Sequence, residues 1–302
     1  MGFRPLPDPP PFQQETRITP LDAVLAGTFI LVAAYLGYRI KTGLNYHWNW
    51  GAIPQYLFRY DPDQMGWVPN ILLQGLTTTI KLSIWSTLLA TIIGIVMGLF
   101  RVSKSLFRRL LGRVYVESVR NLPPLVLIFI FYYFISSQIL PILGLDAVFE
   151  PGHRWHHKLW AGLLAPPDLL PAFLAALITL SVFEGSYITE IIRAGIESID
   201  SSQWEGSKAL GMNRRQQLWC IILPQAGPRI LAPLANQFIS TIKDSAIVSV
   251  ISIQELTFQG LELMAATHLT FEIWITVACL YLSITLSCSM VVSRLEAVSQ
   301  KP

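Results

Sequence analysis

Residues 201–224 read SSQWEGSKALGMNRRQQLWCIILP. Ser202-x-x-Glu205 has capping-box spacing, so a short helix is expected to start there with Glu205 as the reciprocal partner. Gly211 is placed to end it, because glycine tolerates the left-handed conformation that closes a helix. Asn213 is expected to cap a second helix, and Pro224 to stop that helix after Leu223. Pro228 and Pro233 should then break the entry to the next apolar run. A helix–glycine–helix–proline unit of this kind reads either as a re-entrant surface turn or as a docking knob for a partner protein.

Outward from this stretch the chain turns apolar on both sides. Runs at about 171–193 and 229–251 flank it, each close to the roughly 20 residues a membrane span requires. Further runs lie at about 71–100, 115–140 and 271–293, and Leu21–Tyr38 makes a sixth. The composition agrees: 52% hydrophobic, 11% aromatic and only 14% charged, against about 25% charged in a soluble domain. The mean hydropathy is +0.48. A disordered chain is excluded, and the fold class expected is an all-α polytopic membrane protein of about six transmembrane helices. With 22 Lys+Arg against 19 Asp+Glu, the charge is too balanced for a general nucleic-acid binder.

Lys and Arg set the expected topology. The loop expected at RVSKSLFRRLLGR carries Arg101, Lys104, Arg108, Arg109 and Arg113. The loop 194–228 and its flank carry Arg193, Lys208, Arg214 and Arg215, and the tail carries Arg294 and Lys301. Across the membrane, 141–170 has only Arg154 and Lys158, and 253–269 has neither residue type. Both termini are therefore expected in the cytoplasm. The first helix has basic residues on both flanks (Arg4 and Arg17, then Arg39 and Lys41), so its neighbours decide its direction. The expected division is 1–70, a Pro-rich arm with an extra helix and outer loop, and 71–302, with an outer insertion at 141–170 and a cytoplasmic loop at 194–228.

Ionisable residues inside spans are costly and mark candidate function. Glu184 falls near mid-depth, with Tyr187 on the same face at i+3. Asn236, Lys243 and Asp244 give the next span a polar centre. Two readings stand: an internal ion pair such as Lys243 with Glu184 that locks helices together, or a polar cavity for a charged solute. Gly94-x-x-x-Gly98 is read as a close-packing helix contact. Cys220, Cys279 and Cys288 lie in apolar stretches without metal or disulfide spacing. His153, His156 and His157 have no carboxylate or thiol to complete a tetrahedral set, so a wet interfacial loop is expected there and no metal site. Residues 39–69 are rich in Trp and Tyr, as at a membrane–water interface.

Glu205-Gly206-Ser207, then Gly211, then Ile221-x-Leu223-Pro224 resembles the EAA---G---------I-LP loop of ABC importer permeases. Gly206 and Ser207 stand where that family often has alanine; both are small. Gly75-Leu76-Thr77-Thr78-Thr79, Glu117-x-x-Arg120-Asn121-Leu122-Pro123, Tyr187-x-x-Glu190-x-x-Arg193-Ala194-Gly195, and Lys243-Asp244-Ser245 with Glu255-Leu256-Thr257 are similar to the polar amino-acid branch, the histidine/glutamine-type permeases. Arg120-Asn121 and the extra helix most resemble permeases for acidic or general L-amino acids.

The resemblance implies a MetI-like type I ABC importer fold in a bacterial inner membrane. Two permease subunits, identical or paralogous, would form one pore. An ABC ATPase dimer would dock through Glu205, Gly206, Ser207, Gly211, Leu223 and Pro224. A periplasmic or lipid-anchored binding protein would deliver the amino acid, and alternating access would carry it past Glu184, Tyr187, Asn236, Lys243 and Asp244. No G-x-x-x-x-G-K-[ST] occurs in this chain, so ATP and Mg are expected to be used by the partner and no catalytic site is expected here. The rival reading is a proton- or ion-coupled secondary transporter using Glu184, Lys243 and Asp244. The small number of spans, the lack of two similar halves and the loop 194–228 oppose it. A membrane-embedded enzyme finds no supporting motif.

Overall fold

The computed structural model describes residues 20–43, 46–63, 65–134, 138, 142, 162–166 and 169–299. The histidine cluster at 153–157 and most of the 141–170 insertion lie outside them. The chain forms two compact units, 1–48 and 49–302. In the first, α1 (Pro20–Gly43) is apolar along most of its length, and Tyr46 meets Trp48 edge to face at 5.1 Å.

The second unit starts with α2 (Ile53–Leu57) and an antiparallel hairpin, β1 (Phe58–Asp61) and β2 (Gly66–Pro69). Residues 49–70, grouped by sequence with the N-terminal part, pack with this unit: Ile53 joins a core of Leu72, Leu256, Leu263, Ile273 and Val277. The long helices are α3 (Ile71–Arg101), α6 (Leu170–Glu197), α8 (Leu223–Asp244) and α10 (Thr270–Ser299). Together with α1, five helical stretches among the described residues are long and apolar enough to cross a membrane.

The stretch expected to be one span over 115–140 is different. It is α4 (Leu106–Asn121) followed by α5 (Pro124–Phe134), bent by 111°. Pro123 and Pro124 interrupt the ladder, since proline donates no N–H and restricts the residue before it. The pair makes a sixth span only if both arms are counted as one. The basic stretch 101–113, read as a loop, is mostly helix: Arg108, Arg109 and Arg113 lie on α4.

α6 is the central helix. Ala175, Ala176, Leu180, Ser181, Glu184, Ser186, Ile188 and Thr189 are all fully buried. It runs parallel to α3, because contacts advance together along both: Ser86 with Leu177, Gly94 with Ile188, Gly98 with Ile192. A Cβ on Gly98 would lie 2.8 Å from Ile192 Cβ, so the Gly94-x-x-x-Gly98 contact is a close-packed one as expected. Gly195 similarly admits Ile230 of α8.

The starts of α3 and α6 and the 3-10 turn after α8 (Ser245–Ile251) therefore lie at one end of the bundle. The ends of α3 and α6 and the start of α8 lie at the other, with the 201–224 hairpin. A turn at Ser252 leads into α9 (Leu256–Thr267), whose N-cap Glu255 is fully buried.

Candidate functional site

The hairpin is built almost wholly from local bonds. α7 (Ser201–Ala209) is capped by Asp200, whose Oδ1 accepts the Ser202 N–H at 2.8 Å. That N–H holds the Asp200 carboxyl below the ordinary carboxylate range. Asp200, upstream of the expected Ser202–Glu205 box, is thus the cap, and Glu205 is an exposed mid-helix residue. The helix closes in a Schellman motif: Gly211 N–H donates to Lys208 O at 2.9 Å and Met212 N–H to Ser207 O at 3.2 Å. Gly211 has φ +75°, the left-handed region expected of it.

Asn213 then forms a full capping box with Gln216, at 2.9 and 3.0 Å, as its sequence position implies. The second helical segment does not stop at Pro224. A turn at Arg214–Gln216 passes into a π-helical stretch, Gln217–Ile222, and straight into α8. Pro224 occupies the first turn of α8, where a missing N–H costs nothing. Pro228 and Pro233 lie inside the helix without ending it.

The hairpin rests on the bundle through Ile222, Ala226 and Ile230, which pack with Ile192, Ile196 and Ile199. The Arg214 guanidinium lies 3.7 Å from the Trp204 ring centroid. Arg229 Nη1 donates to Ser198 O at 2.5 Å. Ser207 is buried and Leu223 half-buried, whereas Glu205, Gly206, Lys208, Gly211 and Pro224 are exposed. Leu210, at the tip, is 80% exposed.

The membrane-buried polar residues divide into two groups. Glu184 is fully buried, and its Oε2 accepts from Gln237 Nε2 at 2.6 Å. Its Oε1 has no hydrogen-bond partner among the described residues, and the carboxyl faces Thr241 and Asp244. Gln237, Thr241 and Asp244 fall at i, i+4 and i+7, one face of α8. Asn236 and Lys243, seven apart, share another face and are exposed. The Glu184–Lys243 pair, one of the two readings, does not form: Lys243 is next to Asp244 in the chain, and about 100° of helix rotation turns it away. Tyr187 is half-buried under the Arg120 guanidinium, 4.9 Å from its ring centroid. It lines a cavity of about 260 Å3 with Arg101, Arg120 and Glu190. Arg101 reaches Glu190 at 3.1 Å, and Arg193 bridges Glu190 and Glu197.

Two features escaped the sequence reading. Gln237 was visible as polar but not as the partner of Glu184, because they lie 53 residues apart. Lys81 had a readable signal: it is the only charged residue between Ile71 and Arg101. Among the described residues, no group of three or more His, Cys, Asp or Glu side chains is placed to hold a metal ion.

The profile of the family described as "Binding-protein-dependent transport system inner membrane component" matches residues 90–297. The chain is 32% identical over 226 residues to the glutamine transport system permease protein of Escherichia coli (strain K12), covering 75% of this chain and 91% of that protein. It is 30% identical over 243 residues to the glutamate transport system permease protein of Corynebacterium glutamicum, covering 78% and 80%. Among solved structures, the crystal structure of an amino acid ABC transporter with histidines is similar at a TM-score of 0.60 and 30% identity, covering 75% of this chain and 93% of that one. An inward-facing methionine ABC transporter shares the fold at a TM-score of 0.56 and 15% identity, covering 76% and 97%.

Proposed function

The chain belongs to the binding-protein-dependent transport system inner membrane component family, and from that premise we propose that it is the pore-forming permease subunit of an amino-acid ABC importer. Two relatives that cover about three quarters of its length are named as glutamine and glutamate transport system permeases, which supports an amino acid as the solute. Residues 71–302 are the permease domain, and 194–228 is its coupling loop. The termini are cytoplasmic and 141–170 is outside.

The observation that carries the coupling is the 201–224 hairpin. It closes its own hydrogen bonds and still leaves Glu205, Gly206, Lys208 and Leu210 in the open. A loop that merely turned the chain would need no such exposed, rigid surface. An ABC ATPase subunit binds here, one per permease of a pair, with ATP and Mg in the ATPase. Closure of the two ATPases draws the hairpins together, and the helices rooted in them, α6 and α8, swing the pore from one side to the other. The loaded binding protein and ATP each act by differential affinity for one of the two states. The exposed Asn236–Lys243 stripe of α8 is available to a second permease or to the solute between them.

The test is uptake of radiolabelled L-glutamine and L-glutamate by the chain reconstituted with its ATPase, its second permease and its binding protein. ATP-dependent uptake is expected, with Glu205→Lys losing both uptake and substrate-stimulated ATP hydrolysis at normal membrane levels. Proton-driven uptake by the chain alone would overturn the reading. Single cysteines at Arg108 and His156 are expected to label from opposite sides of the membrane.

A further inference from the structure

At the bundle end remote from the 201–224 hairpin lies a cavity of about 530 Å3, within the size range of small-molecule sites. It is enclosed by the starts of α3 and α6, by residues 252–254 and by the β1–β2 hairpin. That hairpin has two faces, because side chains alternate along a strand. Arg59, Asp61 and Val68 line the cavity, and Arg59 reaches the groove on the other side as well. Tyr60 and Trp67, paired across the strands, meet edge to face at 5.9 Å and line an open aromatic groove. The hairpin thus presents both signs of charge to the cavity and aromatic rings away from it.

Lys81 lines the same cavity from α3. It lies ten residues beyond Ile71, about 15 Å along the helix, and the rest of the stretch up to Arg101 carries no charge. A charge placed so far along an apolar span marks a pathway for ions or substrate. The remaining polar lining is uncharged: Gln74, Thr77, Thr78, Ser252, Gln254 and Gln259. An ammonium, a carboxylate, a guanidinium at the rim and neutral amides form the set that a zwitterion needs. It is a different set from the Glu184–Gln237 link deep in the bundle.

We propose that this cavity is an acceptance site for an α-amino acid, with Lys81 holding the carboxylate and Asp61 the ammonium as the solute enters the pore. The proposal rests on the amino-acid reading above. Arg59, at the exposed edge, draws the carboxylate in, and the hairpin carries Arg59 and Asp61 together to the cavity rim. The Thr78 hydroxyl donates to Gln74 O at 3.2 Å, and Thr78 lines the cavity from α3.

The experiment uses the full complex with Cys220, Cys279 and Cys288 replaced by serine and a single Thr78→Cys probe. Millimolar L-glutamine or L-glutamate, without binding protein, is expected to slow alkylation of that cysteine, and adding Lys81→Gln should abolish the protection. In the cysteine-intact complex, Lys81→Gln should reduce uptake about tenfold, the worth of one charge-assisted hydrogen bond, and Lys81→Arg should restore most of it. Unprotected Thr78→Cys in a complex that transports the same amino acid overturns the site. So does full uptake by a well-assembled Lys81→Gln complex. If Lys81→Gln fails to assemble, protection in the Lys81 background decides alone. A wild-type complex that transports neither amino acid defeats the amino-acid reading instead, and protection by those amino acids still judges the cavity.

Discussion

The 201–224 hairpin and the Glu184 region are both polar, but they are held in opposite ways. Asp200, Gly211, Asn213 and Gln216 find partners within five residues. Glu184 finds its donor 53 residues away, in the interior between α6 and α8. The first kind of order survives if the bundle shifts around it, which suits the coupling role proposed for the hairpin. The second exists only when the helices are correctly seated. The difference teaches which changes should injure assembly and which should injure coupling.

The largest expected effect strikes the long-range kind. Gly94→Leu would place a Cβ 2.7 Å from Ile188 Cβ and 3.1 Å from the Ile188 backbone carbon. Overpacking of this sort costs about 1–3 kcal/mol even where side chains can yield, and backbone yields least. Fluorescence-detected size exclusion should show most of the folded complex lost. Retention of a sharp peak at wild-type height would break the claim that α3 and α6 are locked.

Next comes Gln237→Leu, which leaves the Glu184 carboxyl buried without its donor. An unsatisfied buried group costs about 1–3 kcal/mol, so the melting temperature of the purified complex should fall. If instead melting is unchanged while uptake is lost, Glu184 serves the solute and not the seating of α8.

Gly211→Ala belongs to the local kind. At φ +75° a side chain costs about 1–2 kcal/mol, confined to the hairpin. Hydrogen exchange over 201–216 should quicken and substrate-stimulated ATP hydrolysis should fall, with assembly intact. Loss of assembly would erase the distinction between the two regions.

Asp200 gives the smallest effect and sharpens the comparison through pH. Its carboxyl titrates below the ordinary value because the Ser202 N–H favours the charged form. The cap's contribution is therefore complete above the unfolded carboxylate value and is lost as pH falls through the lowered folded value. Exchange of the α7 amides should rise on that acid limb, and Asp200→Asn should flatten the rise while leaving the α6–α8 amides unchanged.

The same division explains what the sequence disclosed. Gly211 and Asn213 were readable because caps are decided by neighbours. Glu205 was misplaced as a cap partner because Asp200, two residues before Ser202, reaches the same N–H with a shorter side chain. Pro224 was ambiguous in principle: proline both ends one helix and opens the next, and here it opens α8. The spans were legible from apolar length, apart from α4 and α5, where five basic residues over 101–113 masked an amphipathic helix. The depth of Glu184 was legible and its partner was not. Nothing in sequence separates the face of Asp244 from that of its neighbour Lys243 until α6 supplies a direction.

The parallel seating of α3 and α6 has a consequence in time. Ser86 and Leu177 are 91 residues apart in the chain, and the notches at Gly94 and Gly98 are filled by Ile188 and Ile192 from the same distant helix. During synthesis α3 therefore enters the bilayer with its grooves vacant and waits while α4, α5 and the intervening segment emerge. Such non-local contacts close late, so the arrival of α6 is the committing step of biogenesis. A chain cut short before residue 188 would leave the notches at Gly94 and Gly98 unfilled.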